Sequence, residues 1–479
     1  MLPRPAPAPH GPEVPTPAPA EGMLSANVRR GNHDTMHRHP WGLALLLFLP
    51  APVLAAPDSP PMPTLLAPEA RIAVENQILE ERLGSLLPRL MAETDLDMWL
   101  VLSREYAEDP VYFTLVPQPS FAARRTTLLA FHRRADGTVE RLAVNRYPLG
   151  GPYESAWAGG DLDEQWQALG QLIADRDPGR IGINVSRDWA IADGLSHALH
   201  QRLLAVLPDG HESRLVSAQD LVVRWTETRL ASERTHHAAA MAAARAIIAE
   251  AFSNQVIEPG KTHTDDVAWY IRKRLESLGM PVWFHPDVNR QRAGDDCTRD
   301  SVFCGSTGII ERGDVLHTDI GGCYLKLCTD TQEMGYVLRE GETEVPRSLR
   351  KALAAGNRWQ DLLAANFVAG RSGDHILHAT HAAVEKEGLA ASTYTHPLGF
   401  FGHAAGPTIG MWDAQQGGTP GSEWALHPST AYAIEGNVRS PVPEWDDTWV
   451  QVKLEQGGYF DGETLEFPAG RQTRWHVVR

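Results

Sequence analysis

The chain has 479 residues, 43% hydrophobic and 22% charged, a globular composition with length enough for two or three domains. Its formal charge of −16, with no run of Lys or Arg, excludes nucleic acid held through its phosphate backbone.

The first 63 residues do not read as fold. Residues 1–22, MLPRPAPAPHGPEVPTPAPAEG, are Pro/Ala low complexity that cannot bury a core. From Met36, MHRHPWGLALLLFLPAPVLAAPDS has a short basic segment, an apolar run from Trp41 to Leu49 and a small-residue ending. That is the pattern of a secretory signal peptide, with cleavage expected near 55–57. An uncut membrane anchor is the alternative, but the run is short for a span and Pro50 and Pro52 interrupt it. With Met36 as the start, residues 1–35 are upstream translation. The expected product is exported, periplasmic or secreted, with no membrane anchor after cleavage.

Residues 64–225 alternate helical and strand patterns. PEARIAVENQILEERLGSLLPRLMAE has helical spacing, DMWLVLS is a buried strand, and RTTLLAFHRRADGTVERLAV reads as two strands around an Asp-Gly turn. GRIGINVS is a further strand and WAIADGLSHALHQRLLAVL a further helix. No catalytic constellation lies in this α/β domain.

Residues 226–479 are organised differently. A long Ala-rich helix precedes the break EPGKTHTD, and a second helix follows with Thr264 or Asp265 near its N-cap and Gly279 at its end. The predicted strands are DVLHTDIGG, YLKLCTD, TAYAIEGNV and WVQVKLEQGGYF, with the helices PRSLRKALAAGNRWQDLLAANFVA and SGDHILHATHAAVEKEG between them. Helices over antiparallel strands make an α+β domain. Cys297, Cys304, Cys323 and Cys328 fall close together without CxxC spacing, so two disulfides in any of three pairings fit better than a structural zinc.

The chemistry concentrates in this second domain. Asp319 and Asp330 flank a glycine-containing hairpin, and antiparallel neighbours can point side chains at one face. Glu435 lies in the apolar strand YAIEGNV and Glu455 among Val450, Val452 and Leu454, where a bare carboxylate costs several kcal/mol. The stretch YTHPLGFFGHAAG adds His396 and His403. Carboxylates with an imidazole suit hard or borderline divalent cations: manganese, cobalt, iron or zinc. Paired cations roughly 3.5–4 Å apart are a standard way to make a hydroxide nucleophile. Elsewhere, His375, His378 and His381 with Glu385 drift around a helix and read as an exposed polar face. Trp412 reads as core or cleft wall, with ligand stacking as the alternative.

The motifs resemble those of the pita-bread metallopeptidases: methionine aminopeptidase, Xaa-Pro aminopeptidase, prolidase and the metal-free creatinase. Asp319, Gly321, Tyr324 and Asp330 match the family's Asp-x-Gly-x-x-Tyr with a second Asp eleven on, and His396, Gly399 and His403 match its histidine signature. Glu435 matches the strand Glu and Glu455 the last ligand, with Lys453 in place of an Arg. The resemblance implies a C-terminal pita-bread domain preceded by a non-catalytic, creatinase-like α/β domain. It implies two divalent metal ions, one held by Asp319 and Asp330, the other by Asp330, His396, Glu435 and Glu455, with Asp330 and Glu455 bridging. It further implies a homodimer that cleaves the N-terminal bond of short peptides or dipeptides through a metal-bridging hydroxide. Glu435 would take the proton, and His403, unligated, would donate to the carbonyl oxygen. In a rival register, GHAAG makes His403 the ligand.

Two departures bear on specificity. Ser301 and Val302 stand where the family usually has another histidine, with His317, on the same strand face as Asp319, as either a partial substitute or a support behind the ligands, and TDTQE replaces Ser-Asp-x-Thr-Arg. Strict Xaa-Pro specificity is therefore not expected. The alternatives are a metal-dependent hydrolase of a non-peptide amide or ester, or a binding homologue without turnover.

Overall fold

A computed structural model describes residues 60–479; the low-complexity segment and the expected signal peptide lie outside the described residues. Strands β1 (Met98–Arg104), β2 (Thr126–Arg133), β3 (Val139–Asn145), β4 (Glu154–Ser155), β5 (Ile181–Ile183) and β6 (Leu215–Ser217) form one sheet in the order β4-β3-β2-β1-β5-β6. The apolar run of β1 places it centrally. Trp99 and Val101 pack toward Leu87, Leu90 and Trp225, while Met98, Leu100 and Leu102 pack toward Leu169, Ile173 and Leu203. The helix expected over 189–207 shortens to His197–Val206, because the Ser196 side chain accepts from Leu199 N and starts the helix there.

The second sheet carries β7 (Asp287–Gln291), β8 (Val315–Ile320), β11 (Thr331–Val337), β12 (Ala390–Thr393), β14 (Thr430–Val442) and β15 (Thr448–Phe460), in the order β12-β14-β15-β11-β8-β7. Three short strands extend it: β13 (His396–Leu398) on β14, β16 (Leu465–Glu466) on β15 and β17 (His476–Val478) on β11. The remaining pair, β9 (Cys323–Tyr324) and β10 (Leu327–Cys328), is a hairpin of its own. Helices cover one face. Arg347–Ala364 lays Leu349 and Leu353 on Val450, Val452 and Leu454, and Trp359 and Leu363 on Tyr432 and Ile434.

Two local expectations shift. YLKLCTD is not one strand: Leu325 and Lys326 both have positive φ, which folds it into the β9–β10 hairpin. The strand beside β8 is instead TQEMGYV, β11, buried on both faces and therefore without alternation. The N-cap of helix Thr264–Ser277 is His263, whose ring accepts from Asp265 N.

The disulfides pair as Cys297–Cys304 and Cys323–Cys328, and the second closes the hairpin between Asp319 and Asp330. Among the described residues no helix is long and apolar enough to cross a membrane. The earliest described segment packs on the second domain rather than the first. Met62, Leu65 and Leu66 lie against its core, Leu66 N donates to the Tyr324 hydroxyl at 2.9 Å, and Arg71 donates to the Leu278 carbonyl at 2.6 Å. A buried ion cluster ties the halves again. Arg82 and Arg229 donate to Glu233 at 2.8 and 3.3 Å, and both guanidiniums lie 4.9 Å from the centre of the Phe400 ring.

Candidate metal centre

The strand register builds the site. Asp319 on β8 stands opposite Gln332 on β11, Gln332 opposite Glu455 on β15, and Glu455 opposite Glu435 on β14. Cross-strand partners share a face, so these four side chains form one row. Asp330 enters from the residue before β11. His396 enters from β13, where it pairs with Ala433 two residues before Glu435. His396 Nε2 lies 3.6 Å from Asp330 Oδ2, 3.6 Å from Glu455 Oε1 and 3.8 Å from Glu435 Oε2. Possible donor atoms of His396, Glu435 and Glu455 lie within 4.8 Å of one another, as do those of Asp319, Asp330 and Glu455.

These atoms have no other employment. Asp319 Oδ1, Asp330 Oδ1, His396 Nε2 and Glu455 Oε1 are buried without a hydrogen-bond partner. Buried polar atoms are rarely left so, and four facing one another need something to satisfy them. His396 Nδ1 lies 3.1 Å from the Pro397 carbonyl, which fixes the tautomer and leaves the Nε2 lone pair free for a cation. Carboxylates and one imidazole fit divalent cations of the hard to borderline kind.

His403 stands apart from that core. It is exposed, edge-on to His396 with ring centres 4.7 Å apart, and its Nε2 lies 3.3 Å from the Tyr394 hydroxyl. Gly402 and Gly321 make room for the indole of Trp283, which packs 5.1 Å from the His403 ring; a Cβ at either glycine would fall within 2.2 Å of an indole atom. His403 also has a donor atom within 4.8 Å of Asp330 and His396. His396, buried and aimed at three carboxylates, is the better placed ligand of the two.

Sequence reasoning missed Gln332. Its Nε2 donates to Glu435 Oε1 at 2.7 Å and Glu455 Oε2 at 3.0 Å, and its Oε1 lies 2.9 Å from His317 Nε2. His317 Nδ1 lies 3.0 Å from Asn289 Nδ2, which also donates to Asp287 Oδ2. Burial pushes the His317 pKa well down, so the ring is neutral and Nε2–H donates to Gln332. His317 therefore supports two acids through an amide. The available signal was position: Gln332 is two residues from Asp330. Of the helix histidines, His375 and His378 are exposed as expected, whereas His381 is half-buried and lines a cleft with Trp412.

Burial, followed by mutual repulsion, pushes Asp319, Asp330 and Glu435 well above the carboxylate range, and burial raises Glu455 to about 8. Burial also lowers His396 and His403 to about 4, leaving both neutral. A carboxyl with a raised folded pKa stabilises the fold while protonated and loses that contribution as pH rises through the folded value. For Glu455 the loss runs from 4.5 to about 8. The two imidazoles act oppositely, but only below their ordinary 6.5. Metal-free protein should therefore melt at progressively lower temperature between pH 6.5 and 8, and a divalent cation should abolish the trend. A flat or rising profile in calorimetry would contradict this electrostatic account.

The family model for metallopeptidase family M24 matches residues 235–460. No curated protein matches the chain by sequence. Among solved structures, X-Pro aminopeptidase from Thermotoga maritima is similar at 16% identity and TM-score 0.58, over 81% of this chain and all of that one. Xaa-Pro dipeptidase from Bacillus anthracis is similar at 15% identity and TM-score 0.56, over 85% of this chain and all of that one. Prolidase from Pyrococcus furiosus is similar at 14% identity and TM-score 0.52, over 80% of this chain and 99% of that one. These likenesses carry the fold across the sheet with the acids and across the domain before it.

Proposed function

We propose, from the match of residues 235–460 to the model of metallopeptidase family M24 and the pita-bread fold that accompanies it, that the chain is a dinuclear metal-dependent peptidase acting on dipeptides or the N-terminal bond of short peptides. The observation that carries this reading is the convergence of four carboxylates and one imidazole, of which Asp319, Asp330, Glu455 and His396 each turn in a buried atom with no hydrogen-bond partner. Asp319 and Asp330 would hold one cation, Asp330, His396, Glu435 and Glu455 the other, with Asp330 and Glu455 shared. When bound, two such cations supply a water of lowered pKa and a Lewis acid for the carbonyl oxygen.

The chain's own groups supply the rest. Gln332 fixes Glu435 through Oε1 and leaves Oε2 turned toward His396. The raised pKa suits Glu435 to accept a proton at that oxygen and return it to the leaving amine. His403, neutral and at the cleft surface, can donate N–H to the carbonyl oxygen as charge develops. Trp283 and Tyr394 hold its ring in place.

A dipeptide and tripeptide panel on metal-reconstituted protein tests the activity, and absence of any turnover would count against it. The histidine roles separate in one variant. His403→Ala should lower turnover about 10²–10³-fold, the scale of losing one oxyanion donor, with metal content unchanged. Loss of metal in that variant would favour the register in which His403 is the ligand.

A further inference from the structure

We propose that the cleft beside the metal centre receives the leaving residue of the substrate, and that this residue bears a large aromatic side chain and a free α-carboxylate. The proposal rests on the peptidase reading and adds the substrate class to it. The cleft, about 440 Å³, has Glu435, Gln332 and Lys453 among its lining, so it is continuous with the site. Phe303 and Trp412 also line it. Their rings are 5.3 Å apart, tilted by 45°, and remain 64% and 49% exposed. Two large aromatic faces left open to water beside a catalytic centre are a surface that gains by being covered.

The aromatic wall is held by design of the loop rather than by chance packing. The Cys297–Cys304 disulfide closes the segment that carries Phe303. Buried Gln451 on β15 then clamps it, accepting from Cys304 N at 2.8 Å and donating to the Val302 carbonyl at 2.8 Å. Arg439 on β14 donates to the Ser301 carbonyl at 2.9 Å. Phe303 is thus fixed to the strands that carry Glu455 and Glu435.

Charge selects which half of the substrate lies here. Arg299, Arg439 and Lys453 line the cleft against Glu385 and Glu435, and Glu435 belongs to the metal set. In a chain of net charge −16 this is a local excess of cations. It repels the free amine of a peptide and attracts the free carboxylate, which the leaving residue of a dipeptide carries. Proline, compact and without a π face, would leave the ring pair uncovered.

Calorimetric titration of the metal-reconstituted full chain with L-phenylalanine, L-phenylalaninamide and glycine reads the subsite without requiring turnover. L-Phenylalanine should bind about 10-fold or more tighter than glycine, consistent with burial of one aromatic side chain, and tighter than its amide. Phe303→Ala and Trp412→Ala should each narrow the phenylalanine–glycine gap, and Arg299→Ala the acid–amide gap. Equal binding of phenylalanine and glycine by the wild type would overturn the proposal, as would gaps that the variants leave intact. Dipeptide kinetics separate the two levels of inference. A higher kcat/KM for Ala-Pro than for Ala-Phe overturns the subsite while leaving the peptidase standing; no turnover of either, with the binding preference present, refutes the peptidase alone.

Discussion

Asp330→Ala should lose both cations and all measurable hydrolysis. The residue is buried, enters the acid row from the hairpin side, and belongs both to the group with Asp319 and Glu455 and to the group with the two histidines. No neighbour can replace it, because Glu435 and Glu455 are already oriented by Gln332. The same change removes one of four mutually repelling carboxyls. The metal-free variant should therefore melt above the metal-free wild type at pH 8, while cations should stabilise the wild type and leave the variant unmoved. Elemental analysis and paired melting curves check both halves. Two ions still bound to the variant would refute the assigned site.

Glu233→Ala should cost about 3–5 kcal/mol, the scale for removing one member of a buried ion pair. Glu233 is 1% exposed and accepts from Arg82, Arg229 and Leu230 N. Its loss leaves two buried guanidiniums without the carboxylate that both donate to. For a domain whose whole stability is about 5–15 kcal/mol this is a large fraction. Urea unfolding of metal-free protein reads it directly, and a loss under about 1 kcal/mol would show the cluster to be solvated in solution. Because both guanidiniums face Phe400, metal affinity should fall as well, with the loop from His396 to His403 loosened.

What the sequence disclosed followed a physical rule. Glu435 and Glu455 were legible because an acid inside an apolar strand is costly and demands a reason. Asp319 and Asp330 were legible through the hairpin between them, and His396 and His403 through a spacing that matched a known motif. Gln332 was not, since an uncharged amide in a strand raises no energetic alarm, although it holds two of the acids. β11 was hidden because burial on both faces erases alternation. The Arg82 cluster was hidden because an arginine in an amphipathic helix looks like solvent-facing charge until its partner, far along the chain, is known. The disulfide pairing could not be read from spacing alone, and only geometry distinguished it from the other two possibilities.

The segment from Met62 to Arg71 bears on how this protein could be dissected. It leaves its apolar side chains on the second domain's core and its hydrogen bonds on Tyr324 and the end of helix Thr264–Ser277 before the chain begins the first domain. Cutting at residue 226 would therefore not yield two self-sufficient modules. The C-terminal fragment would expose the floor on which Leu65 and Leu66 rest and would also lack Arg82 beside Phe400. Gene fusions, truncations for crystallisation and variants of the C-terminal half alone should carry the strap with them, because its side chains complete the core of that half.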